Sequence, residues 1–206
     1  MEKSDCRKGH DNKNLIFVLC GPSGVGKTSL KLFILERHPD IRLCSSVTTR
    51  PESKTPNDIE EYHFISEEEY ESLYRDDELI AKKTRQFGFY YGIKPNEIAG
   101  ILDEGYHVLL ETTLWGIGQL KDRFNNVVSI FIAPPSLEEL KRRLKTRGRE
   151  SDEDIALRLE LAEQILTNFK RDEVDYCVIN KDLGATIDIV NSIVNQEKIE
   201  LDPKHR

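Results

Sequence analysis

The stretch that decides the fold is Gly21-Pro22-Ser23-Gly24-Val25-Gly26-Lys27-Thr28. It matches the pattern G-x-x-x-x-G-K-[ST], follows the apolar run Leu15–Cys20 and opens a helical pattern over Lys27–Arg37. Glycines let backbone N–H groups close around phosphate oxygens, and the helix N-terminus adds a favourable dipole. The stretch therefore predicts a P-loop that binds a nucleoside triphosphate, with Lys27 at the β- and γ-phosphates and the Thr28 hydroxyl available to Mg²⁺.

Apolar runs alternate with amphipathic stretches along the rest of the chain. Runs rich in Val, Ile and Leu predict strands buried on both faces of a parallel sheet. These strands are predicted over 15–20, 43–48, 106–111, 127–133 and 176–180. Helices are predicted over 27–37, 96–104, 137–146, about 151–170 and about 185–195. The alternation predicts an α/β fold of the P-loop NTPase type, with a doubly wound, mostly parallel sheet.

The segment from Thr49 to Gly92 interrupts that alternation. It begins with turn-forming residues, continues with a short helix near Glu67–Tyr74 and ends with Gly88-Phe89-Tyr90-Tyr91-Gly92. We predict an insertion of mixed strand and helix above the carboxyl edge of the sheet, where α/β folds bind ligands. Residues 1–13 are expected to form a flexible polar arm, and residues 197–206 a polar tail.

Composition favours one globular domain. The chain has 206 residues, of which 38% are hydrophobic and 33% charged. A net charge of −7 argues against a nucleic-acid partner, and no apolar run is long enough to cross a membrane. Residues 1–14 lack the apolar stretch of a signal peptide. The four scattered cysteines form no CxxC pair, so free thiols and a cytoplasmic location are expected.

Further motifs resemble the guanylate kinase family over about residues 14–196. Besides the P-loop, the matching pieces are Ser45-Ser46-Val47-Thr48-Thr49-Arg50-Pro51, Glu61-Tyr62-His63-Phe64-Ile65-Ser66, Tyr90-Tyr91-Gly92, Ala133-Pro134-Pro135-Ser136, Arg143-Leu144-Lys145-Thr146-Arg147-Gly148 and Val178-Ile179-Asn180-Lys181-Asp182-Leu183. The resemblance implies a core domain, an acceptor-binding insertion at about 49–93 and a helical lid at about 143–158. It also implies transfer of the ATP γ-phosphoryl group to a phosphate-bearing small molecule, by family default GMP.

The resemblance assigns roles to individual residues. Catalytic roles fall to Lys27, Arg143, Arg147 and Arg158. ATP would be bound by Gly21, Pro22, Ser23, Gly24, Val25, Gly26, Lys27, Thr28, Ser29 and Asn180. The acceptor would be bound by Ser46, Arg50, Tyr62, Tyr91, Ile93 and Thr113, and Mg²⁺ by Thr28 and by Glu111, a carboxylate at the end of a predicted strand. Because the acceptor already carries a phosphate, catalysis needs positioning and charge stabilisation more than a strong base.

The positions that read guanine in the family are changed here. They hold Ala81 (or Lys82), Ile93 and Thr113, and Ser53 replaces a second phosphate-binding arginine. Alanine and isoleucine side chains cannot accept hydrogen bonds from a guanine base, which argues against selective use of GMP.

Three readings of these departures stay open. The stretch from Leu79 to Ile93 is similar to ribose 1,5-bisphosphate phosphokinases, so that sugar or another nucleotide is an alternative acceptor. Lys82, Lys83 and Arg85 either form a cationic cluster for a more negative acceptor or lie on an exposed strand face. A non-catalytic module that binds phosphorylated proteins is an alternative of another class. For Trp115, core packing is favoured over stacking on an acceptor, and the chain is expected to be a monomer or a homodimer.

Overall fold

The computed structural model of the chain describes residues 14–52, 62–82, 84–148 and 151–201. Strands and helices alternate along almost the whole of this length. In chain order the elements are β1 (Ile16–Cys20), α1 (Lys27–Arg37), β2 (Ile41–Leu43), β3 (Ser46–Thr48), β4 (Tyr62–Phe64), α2 (Glu67–Arg75), β5 (Ile80–Ala81), β6 (Tyr91–Ile93), α3 (Pro95–Asp103), β7 (His107–Glu111), α4 (Leu114–Arg123), β8 (Val127–Ala133), α5 (Leu137–Arg147), α6 (Asp152–Asn168), a 3₁₀ turn (Arg171–Glu173), β9 (Tyr176–Ile179) and α7 (Leu183–Leu201).

The larger sheet has five parallel strands in the order β2-β7-β1-β8-β9. Because side chains alternate along a strand, β1 supplies two cores. Phe17 and Leu19 join a cluster that includes α1 and α7, whereas Ile16 and Val18 join a second cluster that includes α3 and α4. Helices thus cover both faces, and the prediction of a doubly wound, mostly parallel α/β sheet is confirmed.

This topology brings several chain segments to one edge of the sheet. Parallel strands all end at the same edge, so β1, β7, β8 and β9 deliver the residues that follow them to one place. Those residues are the predicted P-loop after Cys20, Glu111 with Thr112 and Thr113, Pro134, and Asn180.

A second, four-stranded sheet has the order β4-β3-β6-β5 and mixes parallel and antiparallel pairs. Its own small core contains Val47, Tyr70, Leu79 and Ala81. The segment predicted as an insertion thus forms mixed strand and helix. The predicted turn-forming residues 53–61 lie outside the described residues.

Helices α5 and α6 form a pair next to the larger sheet. Leu140 and Leu144 of α5 pack with Ile155 and Ala162 of α6 in a separate apolar cluster. Gly148, with a φ angle of 65°, ends α5. The segment predicted as a lid, 143–158, covers the end of α5 and the start of α6, and Arg149 and Glu150 between them lie outside the described residues.

Two predicted elements have wrong boundaries, and one helix was not predicted. The single strand predicted over 43–48 is two strands in different sheets, because the chain leaves the larger sheet at Cys44 and enters the second at Ser46. Helix α4 was not predicted, since glycines at 116 and 118 hide its amphipathic pattern. Helix α7 continues to Leu201 through residues expected in the polar tail, where Glu197 accepts a hydrogen bond from the Tyr176 hydroxyl.

Other expectations can be compared with the structure directly. Cys20, Cys44 and Cys177 are free thiols, as predicted, and burial raises the pKa of Cys20 to about 12. Cys6, the arm 1–13 and the end of the tail, 202–206, lie outside the described residues. Within the described part, none of the helices combines the length and the apolar character that crossing a bilayer requires.

Stability is expected to depend on the protonation of His107. Its Nδ1 accepts a hydrogen bond from the Leu15 N–H at 2.8 Å, which requires a neutral ring. Burial lowers the pKa of His107 below its ordinary 6.5; Lys198 and His38 also lower it, and Asp40 partly offsets them. Below about pH 6.5 the unfolded chain therefore binds the proton more readily, and this contribution to stability is lost as the pH falls.

We expect urea unfolding to show a smaller loss of the free energy of unfolding between pH 7.5 and 5.5 for His107→Gln than for the wild type. Equal losses in the two proteins would contradict this role of His107.

Candidate active site

The loop Gly21–Thr28 connects the end of β1 to the first turn of α1, the context that the motif requires. Gly26 is the N-cap of α1 and has a φ angle of 107°, a left-handed conformation that side chains disfavour. The loop therefore ends at a helix N-terminus, where unpaired N–H groups and the helix dipole attract anions.

Lys27 folds back over this loop. Its ammonium group donates to the carbonyl oxygens of Gly21 at 2.9 Å and Pro22 at 3.1 Å. An ammonium group has three N–H donors, and these two bonds use two of them. Lys27 is thus fixed at the mouth of the loop with one donor left for a phosphate oxygen.

Asn180 supports the loop from behind. Its side-chain amide donates to the Val25 carbonyl at 2.8 Å and accepts from the Thr186 hydroxyl at 3.0 Å. The side chain is buried, and a Cβ added at Gly26 would lie only 2.6 Å from its Nδ2. The resemblance implies that Asn180 lies near adenine, but in this conformation both ends of its amide are occupied by the protein.

The pair α5–α6 lies directly against the loop. A Cβ added at Gly24 would lie 2.6 Å from Cδ2 of Leu144, so α5 packs on the loop backbone. Arg158 of α6 donates from Nη1 to the Ser23 hydroxyl at 2.5 Å. The structure therefore brings three predicted residues together at the loop: Ser23, Lys27 and Arg158.

The other two predicted catalytic arginines lie elsewhere on the helix pair. Arg143 donates to Glu139 at 2.8 Å and to the Asn180 carbonyl at 2.9 Å, so it must exchange partners to contact a phosphate. Hydrogen bonds from Arg142 and Arg143 lower the pKa of Glu139 to about 2. Arg147 is exposed in the last turn of α5.

Glu111, a predicted metal ligand, ends β7 beside the loop strand, where it pairs in register with Leu19. Its Oε1 is 3.5 Å from Nζ of Lys31, which is 2% exposed. That oxygen is buried and accepts no hydrogen bond from the described residues. Thr28 and Ser29, at the start of α1, are exposed.

The second sheet carries a cluster of one arginine and two tyrosines. The guanidinium carbon of Arg50 lies 5.1 Å from the centre of the Tyr62 ring, and the rings of Tyr62 and Tyr91 are 6.1 Å apart. The strands place these residues, since Ser46 of β3 pairs with Tyr62 of β4, and Thr48 of β3 with Tyr91 of β6. Guanidinium and phenolic groups suit a phosphate ligand.

The remaining predicted acceptor positions differ in exposure. Ile93 is buried, where it pairs with Ile80, so it can shape a site but offers no polar contact. Thr113 uses its hydroxyl to cap α4 by accepting the Gly116 N–H at 3.3 Å. Ala81 is also buried, in the small core of the second sheet.

Two exposed side chains meet between β5 and α4. Nζ of Lys82 lies 5.3 Å from the ring centre of Trp115. Trp115 is 37% exposed, in the first turn of α4, so the prediction that it packs in the core is wrong.

Of the residues considered for a cationic cluster, Lys82 and Arg85 contact different partners. Arg85 is bound to Glu67 at 2.7 Å and to the Gly88 carbonyl at 2.8 Å. Lys82 lies on the tryptophan, and Lys83 is outside the described residues. The positive charge of Arg85 is therefore paired with the Glu67 carboxylate.

Sequence reasoning gave no role to Phe87. The guanidinium of Arg158 lies over its ring, 4.5 Å from the ring centre. The sequence offered no clear signal for this contact, since Phe-Gly is not among the pairs that favour a two-residue turn and the partner lies far away in the chain.

The larger sheet ends at a P-loop, and the second sheet carries the Arg50–Tyr62–Tyr91 cluster. These two features together define the class as a P-loop kinase. Comparison with known proteins refines this class. Residues 13–197 match the family model described as guanylate kinase. Guanylate kinase of Thermotoga maritima is 35% identical over 189 residues, which cover 92% of this chain and 90% of that protein.

Two further relatives agree. Guanylate kinase of Bradyrhizobium diazoefficiens is 36% identical over 193 residues, 93% of this chain and 87% of that protein. The crystal structure of guanylate kinase from Anaplasma phagocytophilum superimposes with a TM-score of 0.69 at 30% identity, covering 92% of this chain and 88% of that one. The chain belongs to the guanylate kinase family and is an ATP-dependent kinase. These relatives do not support the ribose 1,5-bisphosphate or phosphoprotein-binding alternatives.

Proposed function

We propose that this kinase transfers the γ-phosphoryl group of ATP to GMP, giving ADP and GDP. In this step the bond from the γ-phosphorus to the β,γ-bridging oxygen breaks, and a bond to a phosphate oxygen of GMP forms. The observation that carries the proposal is the Arg50–Tyr62–Tyr91 cluster, a second phosphate-binding set on a sheet separate from the P-loop. The names of the relatives supply guanine as the first base to test.

The described side chains divide the work of catalysis. Lys27 directs its remaining N–H toward the β- and γ-phosphates, while Arg158 contacts the loop through Ser23. Arg143 and Arg147 would reach the transferring group after α5 and α6 change their contacts. Charge on the transferring phosphoryl group is then stabilised first by Lys27 and Arg158, which are already held at the loop. Electrostatic stabilisation of this kind is the main catalytic effect available in phosphoryl transfer.

Mg²⁺ fits this site as a companion of the ATP phosphates. Among the described residues, no three His, Cys, Asp or Glu side chains are grouped to hold a metal by themselves. Thr28 is exposed at the loop, and the Glu111 carboxylate at the end of β7 is partly exposed and could accept from a metal-bound water. When bound, the ion would neutralise phosphate charge.

The base of the acceptor is proposed to contact Lys82 and Trp115. The indole offers a stacking face, and the lysine offers donors that suit the O6 and N7 acceptors of guanine. These contacts would replace the acidic side chains, absent here, that accept hydrogen bonds from guanine N1–H and N2–H.

Loss of the Arg50 guanidinium is expected to weaken the acceptor site selectively. A hydrogen bond to a charged group contributes about 1.5–3 kcal/mol, so Arg50→Met should raise KM for GMP about 10- to 100-fold and leave KM for ATP within twofold. Steady-state assays with Mg·ATP measure both. Arg75→Met, at an exposed arginine in the last turn of α2, is the matched control.

The same assay tests the acceptor itself, with GMP, dGMP, IMP, AMP, CMP, UMP, dTMP and ribose 1,5-bisphosphate offered in parallel and products identified by mass. Preferred conversion of GMP supports the proposal. A preference for any other acceptor, or no transfer to GMP, overturns it.

A further inference from the structure

Two of the contacts that Arg158 makes bear on the position and the orientation of its guanidinium. One edge donates to Ser23 of the P-loop at 2.5 Å, and one face lies 4.5 Å from the ring centre of Phe87. We propose that Phe87 is a positioning residue, which holds the Arg158 guanidinium at the angle needed for the transferring phosphoryl group. This inference rests on the proposed role of Arg158 in phosphotransfer.

The backbone at Phe87 is unusual for a phenylalanine. Gln86 and Phe89 exchange backbone hydrogen bonds of 2.8 and 3.1 Å around a two-residue turn. Phe87 and Gly88 in that turn have φ angles of 52° and 87°. Such turns favour asparagine, aspartate or glycine at both positions, because a side chain disfavours the left-handed conformation. A phenylalanine there is retained against its own backbone preference.

Core packing does not account for this choice. The Phe87 side chain is 37% exposed and belongs to none of the apolar clusters of the described residues. Among the described residues, the aromatic ring of Phe87 contacts the Arg158 guanidinium, which is attracted to the face of a π-system.

The turn is itself held rigidly. Arg85 donates to the Gly88 carbonyl at 2.8 Å and to Glu67 of α2 at 2.7 Å, and its guanidinium lies 4.6 Å from the Tyr90 ring centre. These contacts connect α2 of the second sheet to the turn that carries Phe87. The turn that carries the ring is thus tied to α2 through Arg85.

Arg158 connects the P-loop to the turn that carries Phe87. Phe87 belongs to the unit that carries the acceptor cluster, whereas Ser23 belongs to the P-loop, and Arg158 touches both. The orientation of Arg158 is complete when both sides are in place. Because a positioned charge acts on the transition state more than on bound substrate, the effect should fall on kcat and not on KM.

Phe87→Asn separates this role from a structural one. Asparagine suits the left-handed turn, so the thermal midpoint should be unchanged or higher, whereas the loss of the ring should lower kcat about three- to tenfold with KM for ATP and GMP within twofold. Phe87→Tyr, which keeps a ring, should retain wild-type kcat. If the asparagine variant does not fold, Phe87→Gly gives the same comparison.

Two further variants make the test specific. In an Arg158→Met background, which has no cation to lie over the ring, Phe87→Asn should change kcat by less than twofold. Tyr106→Asn removes a ring that stacks on Arg42 at 3.6 Å, at the opposite edge of the larger sheet, and should leave kcat unchanged. Full kcat in Phe87→Asn, or the same loss in the Arg158→Met background, would overturn the inference.

A binding-independent readout keeps this result distinct from the proposed function. If the wild type does not convert GMP, the proposed function fails, but the contact is still measurable by NMR. The Nε–H proton of Arg158 should be shifted upfield by the ring in the wild type and move downfield in Phe87→Asn. An identical resonance in the two proteins overturns the inference by itself.

Discussion

Replacing Lys27 by methionine is expected to lower kcat for phosphotransfer about 100- to 1,000-fold, the effect of removing one preorganised charged donor from a transition state. The ammonium group is held by the Gly21 and Pro22 carbonyls, so it needs no reorganisation when charge develops on the phosphates. Methionine has a similar length and shape but offers no donor. A coupled assay of ADP release with saturating acceptor measures the loss.

Stability should change little in the same variant. Lys27 loses two hydrogen bonds, each worth about 0.5–1.5 kcal/mol, but a cation in the first turn of α1 opposes the helix dipole, and its removal offsets part of that loss. Lys121→Met, at a half-exposed lysine paired with Asp175, is the control and should keep wild-type kcat. A Lys27→Met protein with more than one tenth of wild-type kcat would contradict the assigned role.

The core of the fold could be predicted because its signals are local. The loop Gly21–Thr28, its strand and its helix follow one another in the sequence, and α1 begins and ends where the pattern predicts. The strand Val127–Ala133 is likewise as predicted, because six apolar residues interrupted by a single serine are typical of a buried strand. The sequence thus located the loop Gly21–Thr28 and the strand and helix that flank it.

Contacts between distant segments could not be predicted. The Arg143 bond to the Asn180 carbonyl depends on how α5 packs on the sheet, which no spacing in the sequence encodes. The Glu139–Arg143 pair, by contrast, joins residues four apart on one helix, a spacing that the sequence does show. The sequence grouped Arg85 with its neighbouring lysines, because it shows that a side chain is charged but not where that side chain points. In the structure Arg85 instead pairs with Glu67. The exposure of Trp115 depends in the same way on the position of α4.

Gly21→Ala is expected to destabilise the fold by at least about 3 kcal/mol, a large part of the roughly 5–15 kcal/mol that holds a typical domain together. The residue has a φ angle of 137°, a strain of about 1–3 kcal/mol for any side chain. An added Cβ would also lie 2.2 Å from the Ile132 carbonyl oxygen. That oxygen belongs to β8, which is held between β1 and β9, so it cannot move aside without disturbing the sheet.

Gly118→Ala is the matched substitution in open space. Gly118 lies inside α4, and an added Cβ there meets no atom within 4 Å, so alanine should stabilise the protein by about 0.5–1 kcal/mol through its higher helix propensity. Chemical unfolding of the three proteins measures both changes. The two substitutions should change the free energy of unfolding with opposite signs. Each adds the same methyl group, and only the backbone conformation and the neighbouring carbonyl differ. A Gly21→Ala protein as stable as the wild type would show that the loop can leave β8, and the rigid phosphate cradle on which the proposed catalysis depends would then not exist.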